Sequence, residues 1–231
     1  MLYKYIYELI RESRSLNFTM VEVYTNGTRL TESLVQLLQE CGVMLATSFY
    51  SDDACTHDEI TGVRGSHARC VAALRLAVKA GIPTRVGVIT MPSNEGSTPA
   101  NINFLQELGI ERIHVDHARG IGRGTAFVTP DDPMQQLCGS CWQGRLAINS
   151  VGDASPCVFS HFHKIGNVSE GLASLLSKPS LHSFRSDMYR GYHEPNRANE
   201  LCSPGRCGPS SCGTSTCSPQ DCSPIDCVPY H

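Results

Sequence analysis

The chain has 231 residues, 41% of them hydrophobic, and a formal net charge of −3. That is enough for one cored domain and a smaller module. The charge offers no basic surface for nucleic acid, and no apolar run reaches the roughly eighteen residues of a membrane-spanning helix. Lys4, Glu8 and Arg11 interrupt the first residues, which therefore lack the apolar core of a signal peptide. A cytoplasmic location is the default expectation.

The opening MLYKYIYELIRES reads as a helix. Val21 to Tyr24 is a short strand that ends in the turn TNGT. Thr31 is placed to cap a helix through TESLVQLLQECG, with Leu34, Leu37, Leu38 and Cys41 on one face and Gly42 at its left-handed stop. VMLATSFY is an apolar strand. Ser66 is expected to cap the next helix, whose Val71, Leu74 and Val78 share a face; Gly81 and Pro83 end it. TRVGVIT is a third strand, PANINFLQELG a helix and RIHVDHA a fourth strand.

This alternation predicts parallel strands joined by right-handed helical crossovers. The strands read as near-continuous apolar runs, the pattern of a parallel sheet covered by helices. Sites in such folds sit at the carboxyl ends of strands. Those ends carry Thr25–Gly27, Ser48–Asp53, Thr90–Asn94 and His117–Gly124, all polar or glycine-rich.

The composition changes near Gly120, where IGRGTAFVTPDDP reads as a linker. Residues 138–176 form a compact module, and SLHSFRSDMYRGYH is a helix spacing its halves. The expected organisation is residues 1–120, a linker over 121–137, a cysteine-containing domain over 138–200 and a tail over 201–231. From Leu201 the tail is Cys, Pro, Ser and Gly, which cannot bury a core. Bound metal or disulfides would have to hold it.

Cys138 and Cys141 form a CxxC, Cys157 follows, and Cys202, Cys207, Cys212, Cys217, Cys222 and Cys227 recur at every fifth residue. In a reducing compartment, clustered thiols read as metal ligands before disulfides. Thiolates suit iron–sulfur clusters, which take about four each. Zinc accepts the same donors, and a secreted disulfide-rich tail is the remaining alternative. Trp142 is expected to shield the metal. Cys41 and Cys70 lie on helix faces and read as core thiols. The nine histidines show no zinc-enzyme spacing and read mostly as surface or loop residues. GIGRG lacks the strand–helix setting of a dinucleotide fingerprint.

Across essentially its whole length the chain resembles the C-terminal part of a radical SAM enzyme with a SPASM domain, the class that matures peptides and activates sulfatases. VEVYTNGTRL, the run from SFYSDDACTHDEI to TRVGVIT, and LQELGIERIHVD resemble the later strands of the partial (β/α)6 barrel. Cys141, ten residues, Gly152, four residues and Cys157, then PCVFS and IGNVSEGLASLL, resemble SPASM. The expected fold is therefore α/β, a partial radical-SAM-type (β/α) barrel with later strands only, followed by an irregular cysteine-rich module. Two departures stand out: there is no CxxxCxxC, and the tail cysteines repeat in pentads.

The resemblance implies one or two auxiliary [4Fe–4S] clusters held by Cys141, Cys157 and tail cysteines; Cys138 lies outside the family's pattern and joins the ligand set by its CxxC spacing. It implies that Ser48 contacts S-adenosyl-L-methionine (SAM) and that Arg69, with Arg64 as competitor, pairs with the SAM carboxylate. Asn26 and Gly27 face the same cleft. The implied activity is modification of a peptide or protein substrate through a 5′-deoxyadenosyl radical, with an electron donor as partner. Without the first barrel strands the chain reads as incomplete, and a second chain that completes the barrel is a further expectation. The alternative is a non-catalytic iron–sulfur or zinc-binding adaptor for a peptide or a partner enzyme.

Overall fold

A computed structural model describes residues 4–129 and 132–193. The chain divides into two compact units, at residues 1–118 and 119–231. The six tail cysteines lie outside the described residues.

The first unit runs α1 (Ile6–Ser15), β1 (Glu22–Tyr24), α2 (Glu32–Glu40), β2 (Met44–Phe49), α3 (Ala54–Thr61), α4 (Ser66–Lys79), β3 (Thr84–Thr90), α5 (Thr98–Glu107) and β4 (Arg112–His117). The four strands form one parallel sheet in the order β1-β2-β3-β4. Thr31 caps α2 by accepting from the Leu34 amide, as its position predicts.

Side chains alternate between the two faces of a strand, so the register assigns each residue a side. Val23 and Leu45 pack with Ile10 of α1, Leu34, Leu37 and Leu38 of α2 and Ala77 of α4. Further along, Phe49, Val86 and Val88 pack with Leu74 of α4 and Leu105 of α5. The opposite face carries Glu22, Tyr24, Ser48, Arg85, Gly87, His114 and Asp116 in register. The apolar runs suggest a uniformly covered sheet. Instead helices meet one face, and the other mixes Met44, Ala46 and Ile89 with these polar residues, Tyr24 there being 58% exposed.

Two local expectations change. A helix not among the expected elements, α3, follows β2: Asp53 accepts from the Thr56 amide at its start and Gly62 closes it at φ +66°. Ser66 does not cap α4 as expected. Gly65 occupies the cap position in the left-handed region, and Ser66 is the first helical residue.

The second unit contains an antiparallel sheet, β5 (Ala147–Ile148), β6 (Asp153–Ser155) and β7 (Gly166–Asn167), in that order. Helices α6 (Leu172–Leu176) and α7 (Pro179–His193) follow. Helix α7 does more than space two halves. Its Leu181 packs with Ala154, Ile165 and Leu175, and its Phe184 and Met188 pack with Leu137 and Cys141. Asn167 and Glu170 form a reciprocal capping box after β7. Among the described residues no helix is long and apolar enough to cross a membrane.

Candidate metal and ligand sites

The Cys138–Cys141 loop is shaped by one close contact. Gly139 has φ +79°, and a Cβ there would lie 2.5 Å from the Tyr192 ring on α7. Glycine meets both requirements, because it tolerates positive φ and leaves room for the ring. The Tyr192 hydroxyl donates to the Leu137 carbonyl at 3.3 Å, fixing the start of the loop. The Cys157 amide donates to Ser160 Oγ at 2.8 Å, and Ser155 Oγ donates to the Cys157 carbonyl at 3.0 Å.

These two supports bring Cys141 Sγ to 3.2 Å from Cys157 Sγ. Cys141 is buried, and Trp142, Phe159, Phe184 and Met188 pack around the pair. Trp142 is partly buried in this shell. The two thiols titrate as a pair. The Cys141 S–H donates to Cys157, which raises the Cys141 pKa, and burial raises it further. Accepting that hydrogen bond, with the Ser160 hydroxyl and the Phe159 and Ser160 amides, lowers the Cys157 pKa, so of the two thiols Cys157 is the one favoured to lose its proton.

Two soft donors converging in an apolar shell fit a zinc ion or an iron–sulfur cluster. Cys138 is exposed, and no group of three Cys, His, Asp or Glu side chains converges on a metal position among the described residues. A complete metal centre thus needs donors beyond the Cys141–Cys157 pair. Cys41 packs against the core of the first unit and Cys70 is buried in it, as expected of core thiols.

In the first unit, Ser48 is the fifth residue of β2, and its hydroxyl lies 2.8 Å from the Tyr24 hydroxyl on β1. The Asn26 side chain closes its own turn, accepting from the Thr28 amide and hydroxyl at 3.2 and 2.9 Å. Gly27, at φ +71°, sits against α4: a Cβ there would come within 3.1 Å of Ala73 Cβ and 3.5 Å of Cys70 Cα. The loop holding Asn26 and Gly27 therefore docks one residue from Arg69. Arg69 Nη2 donates to the Arg64 carbonyl at 3.1 Å, so its guanidinium rests on the α3–α4 turn.

Sequence reading missed the partners of these residues. Tyr24 meets Ser48 only because β1 and β2 pair in parallel register. Across the same face Arg85 forms an ion pair with Glu22 at 2.6 Å. His57, grouped with surface or loop histidines, is 2% exposed inside the first unit. His161 and His163, which alternate as on a strand, lie in a turn.

Residues 138–208 match the SPASM family, an iron–sulfur cluster-binding domain. The chain is 29% identical over 120 residues to the AdoMet-dependent heme synthase of Methanosarcina barkeri, covering 52% of this chain and 34% of that protein. It is 30% identical over 118 residues to the PqqA peptide cyclase of Gluconobacter oxydans, covering 51% of this chain and 33% of that protein. The matches thus span about a third of these relatives' length. Among solved structures, native anSMEcpe with bound AdoMet superposes with a TM-score of 0.63 at 14% identity, covering 88% of this chain and 68% of that one. Streptococcus suis SuiB bound to precursor peptide SuiA gives 0.65 at 17% identity, covering 80% and 54%. The resemblance to radical SAM/SPASM proteins is therefore present in both sequence and fold. The fold is a parallel α/β partial barrel followed by a cysteine-bearing module.

Proposed function

We propose that this chain is a radical SAM/SPASM-type iron–sulfur protein that acts on a peptide or protein substrate. The observation that carries the reading is the pair of buried Cys141 and half-buried Cys157, 3.2 Å apart, inside the segment that matches a cluster-binding domain. Peptide-modifying relatives support the substrate class: one is a PqqA peptide cyclase, and SuiB is seen with its precursor peptide.

In this reading Cys141 and Cys157 hold an auxiliary [4Fe–4S] cluster. The other thiolates come from Cys138 and the tail; Cys202 and Cys207 lie within the matched segment, whereas Cys212, Cys217, Cys222 and Cys227 lie beyond it. Trp142, Phe159, Phe184 and Met188 exclude water from that site. The polar face of the parallel sheet binds and orients the ligands. Ser48 contacts a ligand hydroxyl, Arg69 its carboxylate, and Asn26 and Gly27 shape the adjoining loop. Bound SAM and its cluster supply the radical chemistry; the chain supplies binding, orientation and exclusion of water.

Both edges of the sheet, β1 and β4, pair on one side only among the described residues. Exposed Leu9, Leu16, Phe18 and Met20 precede β1. Two further strands beside β1, from a second chain, would complete the barrel. An electron donor is the remaining partner, and a reducing cytoplasm suits the set of free thiols. A second reading is a non-catalytic iron–sulfur or zinc adaptor that presents a peptide, since the Cys141 and Cys157 donors suit either metal.

Anaerobic reconstitution with iron and sulfide tests the metal assignment. Iron and sulfide at about four per site, with absorption near ~400 nm, is expected for each thiolate-held cluster. Zinc alone, or no metal, would overturn the cluster. Adding a synthetic SAM analogue to the same sample separates a SAM-binding protein from the adaptor.

A further inference from the structure

Helices α3 and α4 meet at a turn that polar side chains hold together. The Asp58 carboxylate accepts from the Gly65 amide, and from the His67 amide and Ser66 Oγ at 2.9 Å each. Asp58 thereby does for the start of α4 what a capping side chain would do. Those bonds hold its pKa down at about 2, with the His67 and Gly65 amides the leading causes. Ser66 Oγ also lies 2.6 Å from Thr61 Oγ1 and 3.2 Å from His57 Nδ1.

The hydrogens in this network have one consistent arrangement. A carboxylate only accepts, so Ser66 gives its single hydrogen to Asp58. Its lone pairs then accept an N–H from His57 Nδ1 and face the Thr61 hydroxyl, whose hydrogen Ser66 Oγ shares with the Asp58 carbonyl 3.2 Å from Thr61 Oγ1. His57 is therefore the Nδ1–H tautomer, and its Nε2 has no hydrogen-bond partner among the described residues. Phe49, Tyr50 and His67 surround the ring, with centroids 5.4 to 5.5 Å away. Burial, with the nearby His67, lowers the His57 pKa to about 4, so the ring is neutral at pH 7.

Arg69 rests on the backbone that this network fixes. Its Nη2 donates to the Arg64 carbonyl at 3.1 Å. Its Nη1 lies 3.0 Å from where a Cβ on Gly65 would stand, and Gly65 has φ +74°. The peptide between Arg64 and Gly65 thus supports the guanidinium on its carbonyl side and is clamped by Asp58 on its amide side.

We propose that His57 and Asp58 are positioning residues for Arg69. Through Ser66 and the Gly65 amide they fix the turn that carries the guanidinium, and so set its grip on the carboxylate of a nucleoside ligand bearing an α-amino acid. The inference rests on the reading of Arg69 as the carboxylate contact. His57 and Asp58 touch no ligand themselves; they act through the turn.

Two ligands separate this role from general stability. S-adenosylhomocysteine carries the amino-acid carboxylate, and 5′-methylthioadenosine is the same nucleoside thioether without it. Binding of each is measured by calorimetry on the full chain, with circular dichroism confirming the fold of every variant. His57→Phe removes the Nδ1 donor while keeping a ring, and Ser66→Ala removes the relay should the first variant fail to fold. Both are expected to weaken S-adenosylhomocysteine about tenfold, the loss of one charged hydrogen bond, and to leave 5′-methylthioadenosine unchanged. His57→Asn, which keeps an N–H near Nδ1, restores the difference. Equal weakening of both ligands, or no weakening of S-adenosylhomocysteine, overturns the inference. Arg69→Ala tests the underlying reading separately. If the preference for S-adenosylhomocysteine survives that change, Arg69 is not the carboxylate contact; if the wild-type chain binds neither ligand, both proposals fall.

Discussion

Cys141 and Cys157 are sixteen residues apart in sequence, yet their sulfurs lie 3.2 Å from each other. Two constraints set that approach: Gly139 lets the first loop fold against Tyr192, and Ser160 holds the backbone of the second. The pair is the best-formed part of the proposed cluster site, so it should govern metal loading.

Cys141→Ala and Cys157→Ala are each expected to remove about four irons from the reconstituted chain, one cluster's content. Cys202→Ala and Cys207→Ala, inside the segment matching the cluster-binding domain, should lower the same site's iron. Iron and sulfide analysis on each variant checks this. Full loading of the Cys157 variant would place the cluster elsewhere.

Gly139→Ala should be among the more damaging small changes in the second unit. The new methyl would sit 2.5 Å from the Tyr192 ring, on a backbone at φ +79°. Strain of this kind costs about 1–3 kcal/mol. Thermal unfolding should therefore shift down and cluster loading fall. Tyr192→Ala combined with Gly139→Ala should recover part of the loss, because it removes the clash while leaving the backbone strain.

His57 should make stability depend on mildly acidic pH. Its pKa lies near 4 in the folded chain, against 6.5 for the ordinary value, because burial disfavours the charged ring. The unfolded chain thus binds the proton more readily between those values. The contribution is fully present above pH 6.5, falls as the pH drops towards 4, and changes little below that. At 1.36 kcal/mol per unit, the loss from this residue reaches about 2 kcal/mol by about pH 5. Urea unfolding at high and low pH should show a smaller drop for His57→Asn than for the wild type. Parallel pH curves would contradict the assignment.

The Glu22–Arg85 ion pair should matter little to stability. Both side chains are 26% exposed, and such pairs contribute about 0–1 kcal/mol. Glu22→Gln is expected to lower the melting temperature slightly in low salt and not at all in high salt. A large, salt-independent loss would mean that the pair anchors the polar face.

The sequence by itself determined the βαβ order, the parallel sheet and the division into a barrel-like part and a cysteine-bearing part. Those features follow from local rules: apolar periodicity, the Thr31 cap and the Gly81–Pro83 stop each act within a few residues. Cys141 and Cys157 were legible as candidate metal donors because thiol chemistry does not depend on the fold, and only the fold brought their sulfurs together. Helix α3 was less visible, since ACTHDEIT has only His57 buried and no apolar stripe. Tertiary structure alone decided which face of the sheet became polar, because alternation needs a register before it has a direction. It also decided that Tyr24 meets Ser48, that Gly139 makes room for a ring fifty-three residues away, and that Asp58 rather than Ser66 holds the start of α4. Each of these contacts joins segments that no local pattern connects, and packing selects them only once the elements have come together.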